Sequence, residues 1–337
     1  MYRFRSINNL LEGNQELENQ EIYFASSDDL NDPMEGFLDV YWDGDAIIWE
    51  NLLKHFLMCI EQVFALNLIA GETEEIKTKE IPVFKNRSVY PTDEYKKTYV
   101  QLEKHFFEFE YIKKLPENLS SRNSPLRRGE LITYLRLVHA YAIQSITSVY
   151  QEHGLVNKRP KRKRFQDLQN FIKGKDPLIE IINRAEKEFS TKGDLASTFF
   201  SVAGKVAEEL NLLTAFYNSS LSVSSNKFFL FYEFPQAYVA RIEEIVYPNW
   251  YTACFMSSCS NSSVWSHYGH QHKGVCLKFK TISKGEKTQL NIEKVISWND
   301  NGATIGMEPL TFYKVNYENK HIEIDFFQSL GGFRFFY

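Results

Sequence analysis

The sequence predicts an α+β protein: a mixed, mostly antiparallel sheet built from both chain ends, with a large helical insertion. Three observations carry this expectation. Short extended pieces occupy the first 45 residues, apolar spacings of three and four dominate residues 46–221, and a period of two takes over from residue 222. Two short strands at the start cannot stand alone in water, so they are expected to join the later ones. The division that follows is residues 1–45 with 222–337 as the sheet domain and 46–221 as the insertion.

Met1–Arg5 and Glu21–Ala25 read as extended. The second opens onto Ser26–Gly36, where Asn, Asp, Pro and Gly cluster and require a loop. Ile47, Leu53, Phe56, Leu57, Ile60, Phe64 and Leu68 then recur at helical spacing. Leu131–Tyr150, Pro177–Phe189 and Leu195–Phe216 repeat the pattern, with Asp176-Pro177 and Asp194 as start signals. Strands are expected at Lys227–Phe234, Ala240–Tyr247, Tyr251–Met256, Gly274–Lys280, Gln289–Trp298, Leu310–Tyr317 and His321–Phe327. Turn residues separate them at Pro248-Asn249, Lys284-Gly285, Asn299–Gly302 and Glu318-Asn319.

At 337 residues and 43% hydrophobic content, the chain is long enough to bury a large core. Its 15% aromatic content favours strands and packed cores over a coiled coil or a disordered chain. A net charge of -4 excludes a globally basic nucleic-acid binder, yet the total conceals unlike parts. Residues 1–45 carry 2 basic and 11 acidic residues, whereas 46–221 carry 26 and 22. Much of the basic excess lies in Lys158, Arg159, Lys161, Arg162, Lys163 and Arg164, around Pro160. That tract is either a polyanion-binding patch or a solvated interhelical loop.

No apolar run follows Arg3 and Arg5, so no signal peptide is read. Phe56–Ala70 is interrupted by Glu61, Gln62 and Asn67 and reads as a buried helix rather than a membrane span. Four cysteines are too few to staple this length, and a cytoplasmic protein with no membrane partner is expected. GxxxxGK[ST], GxGxxG after a strand, GxSxG and HExxH are all absent. P-loop, Rossmann, serine-hydrolase and zincin chemistries are therefore disfavoured.

Three ordered blocks stand out: Tyr2-Arg3-Phe4; Ile22–Ser27 leading into Leu30-Asn31-Asp32-Pro33-Met34-Glu35-Gly36; and Cys254–Ser257 followed by Val264–Phe279. Their order and texture resemble a bacterial family known as domain of unknown function 2971. More remotely, the layout resembles the ADP-ribosyltransferase superfamily. That resemblance implies an Arg or His on the first strand to hold a dinucleotide, an aromatic residue on nicotinamide, and a late glutamate at the ribose. Arg3 and Tyr268 fit the first two roles, and Glu323, Glu35 or another chain are the candidates for the third.

The residues themselves point to a small anionic or nucleotide-like ligand. Arg3 offers a planar donor fork for phosphate, and Asn31, Asp32 and Glu35 sit in a turn-rich loop that could also be purely structural. Trp265 and Tyr268 offer ring faces, or else core packing, and His267 and His272 offer titratable imidazoles. The expected set is Glu35, His267 and Tyr268 in catalysis, with Tyr2, Arg3, Asn31, Asp32, Trp265 and His272 binding NAD as substrate. His267, His270 and His272 fit no familiar zinc spacing, so no metal is expected. The biological reading is a bacterial toxin or phage-defence effector. The alternative is a non-enzymatic sensor whose helical insertion binds a partner protein or nucleic acid.

Overall fold

A computed structural model describes residues 1–26, 29–30, 39–71, 73–85, 90–157, 198, 200–206, 208–209, 225–248, 250–299, 302–316 and 322–331. The fold is α+β, with mostly antiparallel sheets. Two units divide the chain: unit 1 is Met1–Phe37 with Asn249–His321, and unit 2 is Leu38–Pro248 with Ile322–Tyr337.

Unit 2 is organised around the 25-residue helix α1 (Ala46–Ala70). Asp45 caps it, its carboxylate accepting from the Ile47 and Ile48 amides at 2.9 Å each. Gly71, at φ 60°, ends it in a conformation that favours glycine. Trp49, Leu53, Phe56, Leu57, Ile60 and Phe64 bury its apolar face. By length and composition α1 could cross a bilayer, but here it lies at the centre of a core shared with other helices. Those helices are α2 (Asp93–Phe107), α3 (Glu110–Ser120) and α4 (Arg128–Glu152). A small sheet completes the unit: β3 (Asp39–Trp42) pairs antiparallel with β4 (Leu126–Arg127) and parallel with β10 (Glu323–Asp325).

Two expected strands are helical. Lys227–Phe234 and Ala240–Tyr247 fall in a run from Ser225–Phe228 through a π-helix, Phe229–Glu233, into α5 (Phe234–Val246). Leu230, Phe234, Tyr238 and Ile242 recur every four residues and are all buried. Pro235 lies in the first turn of α5, where a missing N–H costs nothing. The expected domain boundaries shift accordingly, from 45/46 to 37/38 and from 221/222 to 248/249. The end of the chain also leaves the sheet domain, because β10 pairs with β3 and α7 (Phe326–Ser329) buries Phe326 and Phe327 in unit 2. The Pro177–Phe189 helix lies outside the described residues.

Unit 1 pairs the chain start with late strands. β1 (Tyr2–Arg5) runs antiparallel to β6 (Val275–Lys278), with Arg3 opposite Leu277. Its other edge reaches Met256 through reciprocal backbone bonds of 2.8 and 2.7 Å with Tyr2. β2 (Ala25–Ser26) pairs with β5 (Tyr251–Thr252). A third sheet joins β7 (Ile282–Lys284), β8 (Lys287–Asn299) and β9 (Gly302–Thr311) in antiparallel order. Among the described residues, the expected single sheet is four small ones.

Candidate functional site

Successive side chains of a strand leave opposite faces, so β1 sends Arg3 and Arg5 one way and Tyr2 and Phe4 the other. Both arginines converge on Glu16. Arg5 donates from Nε to Glu16 Oε2 at 3.1 Å and pairs with Oε1 through Nη2. Arg3 donates from Nη2 to the Tyr23 carbonyl at 2.6 Å. Its Nη1 lies 3.6 Å from Glu16 Oε2, close enough for an ion pair, but this buried atom makes no hydrogen bond among the described residues. Arg3 is 5% exposed and Glu16 is 4% exposed.

Two guanidinium groups therefore share one carboxylate in a largely dry setting. Burial lowers the Arg3 pKa below the usual arginine value, with Glu16 acting in the opposite direction. The Arg3 guanidinium also lies 5.8 Å from the Phe255 ring centre. Beyond Tyr23, Asp29 accepts from Ser26 Oγ at 2.9 Å and from the Tyr23 hydroxyl at 3.3 Å.

The other face of β1 is built differently. Phe4 meets Trp265 edge-on at 4.9 Å and 84°. The indole Nε1 of Trp265 donates to the Cys259 carbonyl at 2.7 Å. Trp265 sits on the seven-residue helix α6 (Ser262–Tyr268), capped by Asn261, which accepts from the Ser263 and Val264 amides. Trp265 therefore anchors α6 to β1, and the expected meeting of its ring with Arg3 around one ligand is corrected. The alternation of the strand separates them. Tyr2 shares the Phe4 face. Tyr268 ends α6 at 38% exposure, and His267, His270 and His272 are exposed.

After α6 the backbone does something the residue types did not signal. His270, Gln271 and His272 are consecutive non-glycine residues in the left-handed region, at φ 47°, 53° and 65°. Each such residue costs about 1–2 kcal/mol. Backbone bonds hold the turn: Gln271 N to Ser266 O at 3.1 Å, His272 N to Trp265 O at 3.2 Å, and Gly274 N to Gly269 O at 2.8 Å. The turn also presses on β1, since a Cβ on Gly274 would lie 2.4 Å from the Arg5 carbonyl oxygen.

The remaining candidates do not join this site. Asn31, Asp32 and Glu35 lie outside the described residues, as do Lys158, Arg159, Lys161, Arg162, Lys163 and Arg164. Glu323 belongs to unit 2, where its carboxylate accepts from Arg127 Nη2 at 2.8 Å. That ion pair gives it a structural use. Among the described residues, no group of three His, Cys, Asp or Glu is placed to hold a metal ion. The expected site set does not include Arg5, Glu16, Tyr23 or Asp29. The Arg-x-Arg alternation of β1 was the available signal for Arg5, while Glu16 lies in a turn with no periodicity to expose it.

No protein-family model, no curated protein and no solved structure matches this chain. The family resemblance therefore stands on its residue blocks alone.

Proposed function

We propose that unit 1 holds a small anionic, nucleotide-like ligand at the Arg3 face of β1, as an NAD-cleaving or ADP-ribosyltransferase-like effector. One observation carries the reading: a buried arginine donor without a hydrogen bond among the described residues, in a cluster of two cations and one carboxylate. A phosphate or carboxylate would supply the missing acceptor and balance the charge. Trp265 supports α6 from the Phe4 face of β1, so this reading rests on the Arg3 face alone and assigns no contact to Tyr268, His267 or His272. The reaction breaks the bond between the nicotinamide nitrogen and ribose C1′. Nicotinamide leaves with the electron pair, and water or an acceptor nucleophile attacks the cation-like C1′, which a carboxylate stabilises. Glu35 is the first carboxylate to test.

Incubating the protein with NAD should release nicotinamide, Glu35→Gln should abolish release, and Arg3→Gln should raise KM. Absence of both nicotinamide release and ADP-ribose binding overturns the reading. The second reading is a sensor that contacts a partner protein or nucleic acid through residues 158–164, favoured by six basic residues in seven. Replacing Lys161, Arg162, Lys163 and Arg164 should then abolish salt-dependent polyanion binding and leave nicotinamide release intact.

A further inference from the structure

The hairpin of β8 and β9 is sided, and its sidedness follows from register. Glu293 faces Met307, Val295 faces Ile305, and Trp298 faces Ala303, so these residues share one face. Val295 and Trp298, three residues apart, lie on the same face because the pairing shifts between Val295 and Ser297, leaving Ile296 as an unpaired bulge residue. Ile296 falls on the opposite face, against Gly306, where a Cβ would meet its Cδ1 at 3.0 Å. That opposite face is more polar towards the tip, although Ile296 is itself 48% exposed there. It carries Ser297, Thr304 and the Lys294–Glu308 ion pair at 2.6 Å.

The first face is apolar and uncovered: Trp298 is 76% exposed, Met307 65%, Ile305 60% and Val295 42%. Ordinary soluble surfaces scatter such residues singly, but here four lie on one ribbon.

We propose that this face is the interface of a homodimer, stacked against the same face of a second copy. The four side chains expose on the order of 500 Å², most of the roughly 800 Å² each partner contributes to a standard interface. An isologous contact needs a self-complementary patch. This one qualifies by charge near the tip: among its described residues from Glu293 to Met307, Glu293 is the one charged side chain and repels little from its own copy, while Lys284 and Lys287 share the face only at its far end. Stacking is favoured over edge-to-edge strand addition. Pro309 leaves β9 without one amide, and the bulge at Ile296 bends β8, both of which blunt an edge. Two ribbons packed face to face lie about 10 Å apart and bury both sets of side chains.

Sedimentation velocity on the full chain, from low to high micromolar concentration, tests this. The expected mass rises with concentration towards twice that of the chain. Ile305→Lys and Met307→Lys should each weaken the dimer roughly tenfold or more. Thr304→Lys, on the polar face, should leave it unchanged. Far-ultraviolet circular dichroism confirms that all three variants fold. A wild-type chain that stays monomeric throughout, or a dimer indifferent to Ile305→Lys and Met307→Lys, overturns the proposal. Neither outcome bears on nicotinamide release, which reads the Arg3 face.

Discussion

Unit 2 buries Trp42, Trp49, Phe56, Phe106, Phe234 and Phe326 almost completely, whereas the described residues of unit 1 bury three apolar side chains, Phe4, Leu10 and Leu290. Their buried polar groups differ as well. In unit 2, Glu61 accepts from the Tyr150 hydroxyl at 2.5 Å and from Tyr95, and burial raises its pKa towards the neutral acid. His139 is stacked on Phe234 at 21°, and burial lowers its pKa to about 3. Unit 1 instead buries Arg3 and Glu16 as a charged pair, with Arg5 beside them. Burial thus opposes charge on Glu61 and His139 where the core is thick, whereas Arg3 and Glu16 are buried as an ion pair where the core is thin.

Deleting a core ring should show the largest effect. Phe56→Ala is expected to cost about 3–5 kcal/mol in urea unfolding, because Phe56 meets Phe234, Tyr238 and His139 edge-on. A cost below about 1 kcal/mol would break the contrast, since surface positions lose no more than that. Glu16→Gln leaves the buried Arg3 and the half-buried Arg5 without their carboxylate and should cost about 3 kcal/mol. Hydrogen exchange should accelerate in β1 and β6 while α1 and α4 keep their protection. Adding Arg3→Met to that variant should restore much of the loss, because one stranded charge is gone.

Acid sensitivity should trace to unit 2. His139 has a folded pKa of about 3, below its ordinary 6.5, so the unfolded chain binds more protons between these values. Stability is full above pH 6.5 and falls as pH drops towards 3, by up to about 1.4 kcal/mol per pH unit. Glu61, with its pKa raised, acts with the opposite sign: it favours the folded state at low pH and loses that contribution as pH rises. His139→Phe should therefore flatten the acid limb of a stability–pH profile. The smallest effect belongs to the left-handed turn. His270→Gly or His272→Gly should raise the melting stability by about 0.5–1 kcal/mol, as relief of strain exceeds the added chain entropy. If either substitution also lowers ligand binding, the strain serves the site.

Local signals were legible wherever a segment's partners matched its period. α1 announced itself through Leu53, Phe56, Leu57, Ile60 and Phe64 at spacings of three and four, and Asn299–Gly302 marked the end of β8, but the strand expected next at Leu310–Tyr317 instead runs Gly302–Thr311. Lys227–Phe234 misled because KFFLFYEF is rich in aromatic residues that suit a strand. The four-residue recurrence of Leu230, Phe234, Tyr238 and Ile242 was present, but it begins inside that run and continues past Pro235. The site was half legible. Arg3 stood out by residue type, but its counter-charge Glu16 comes from an irregular turn that no pattern flags.

What the sequence determined by itself are elements such as α1 and β8, because period and turn residues act over a few positions. The joining of β1 to late strands followed from the inability of two short strands to stand alone. Three matters were left to the tertiary structure. It put Arg3 and Trp265 on opposite faces of β1, gave Glu323 to Arg127, and set Val295 and Trp298 on one bare face of a hairpin. Each depends on which strand lies opposite which and in what register, and a shift of one residue would reverse every side chain involved.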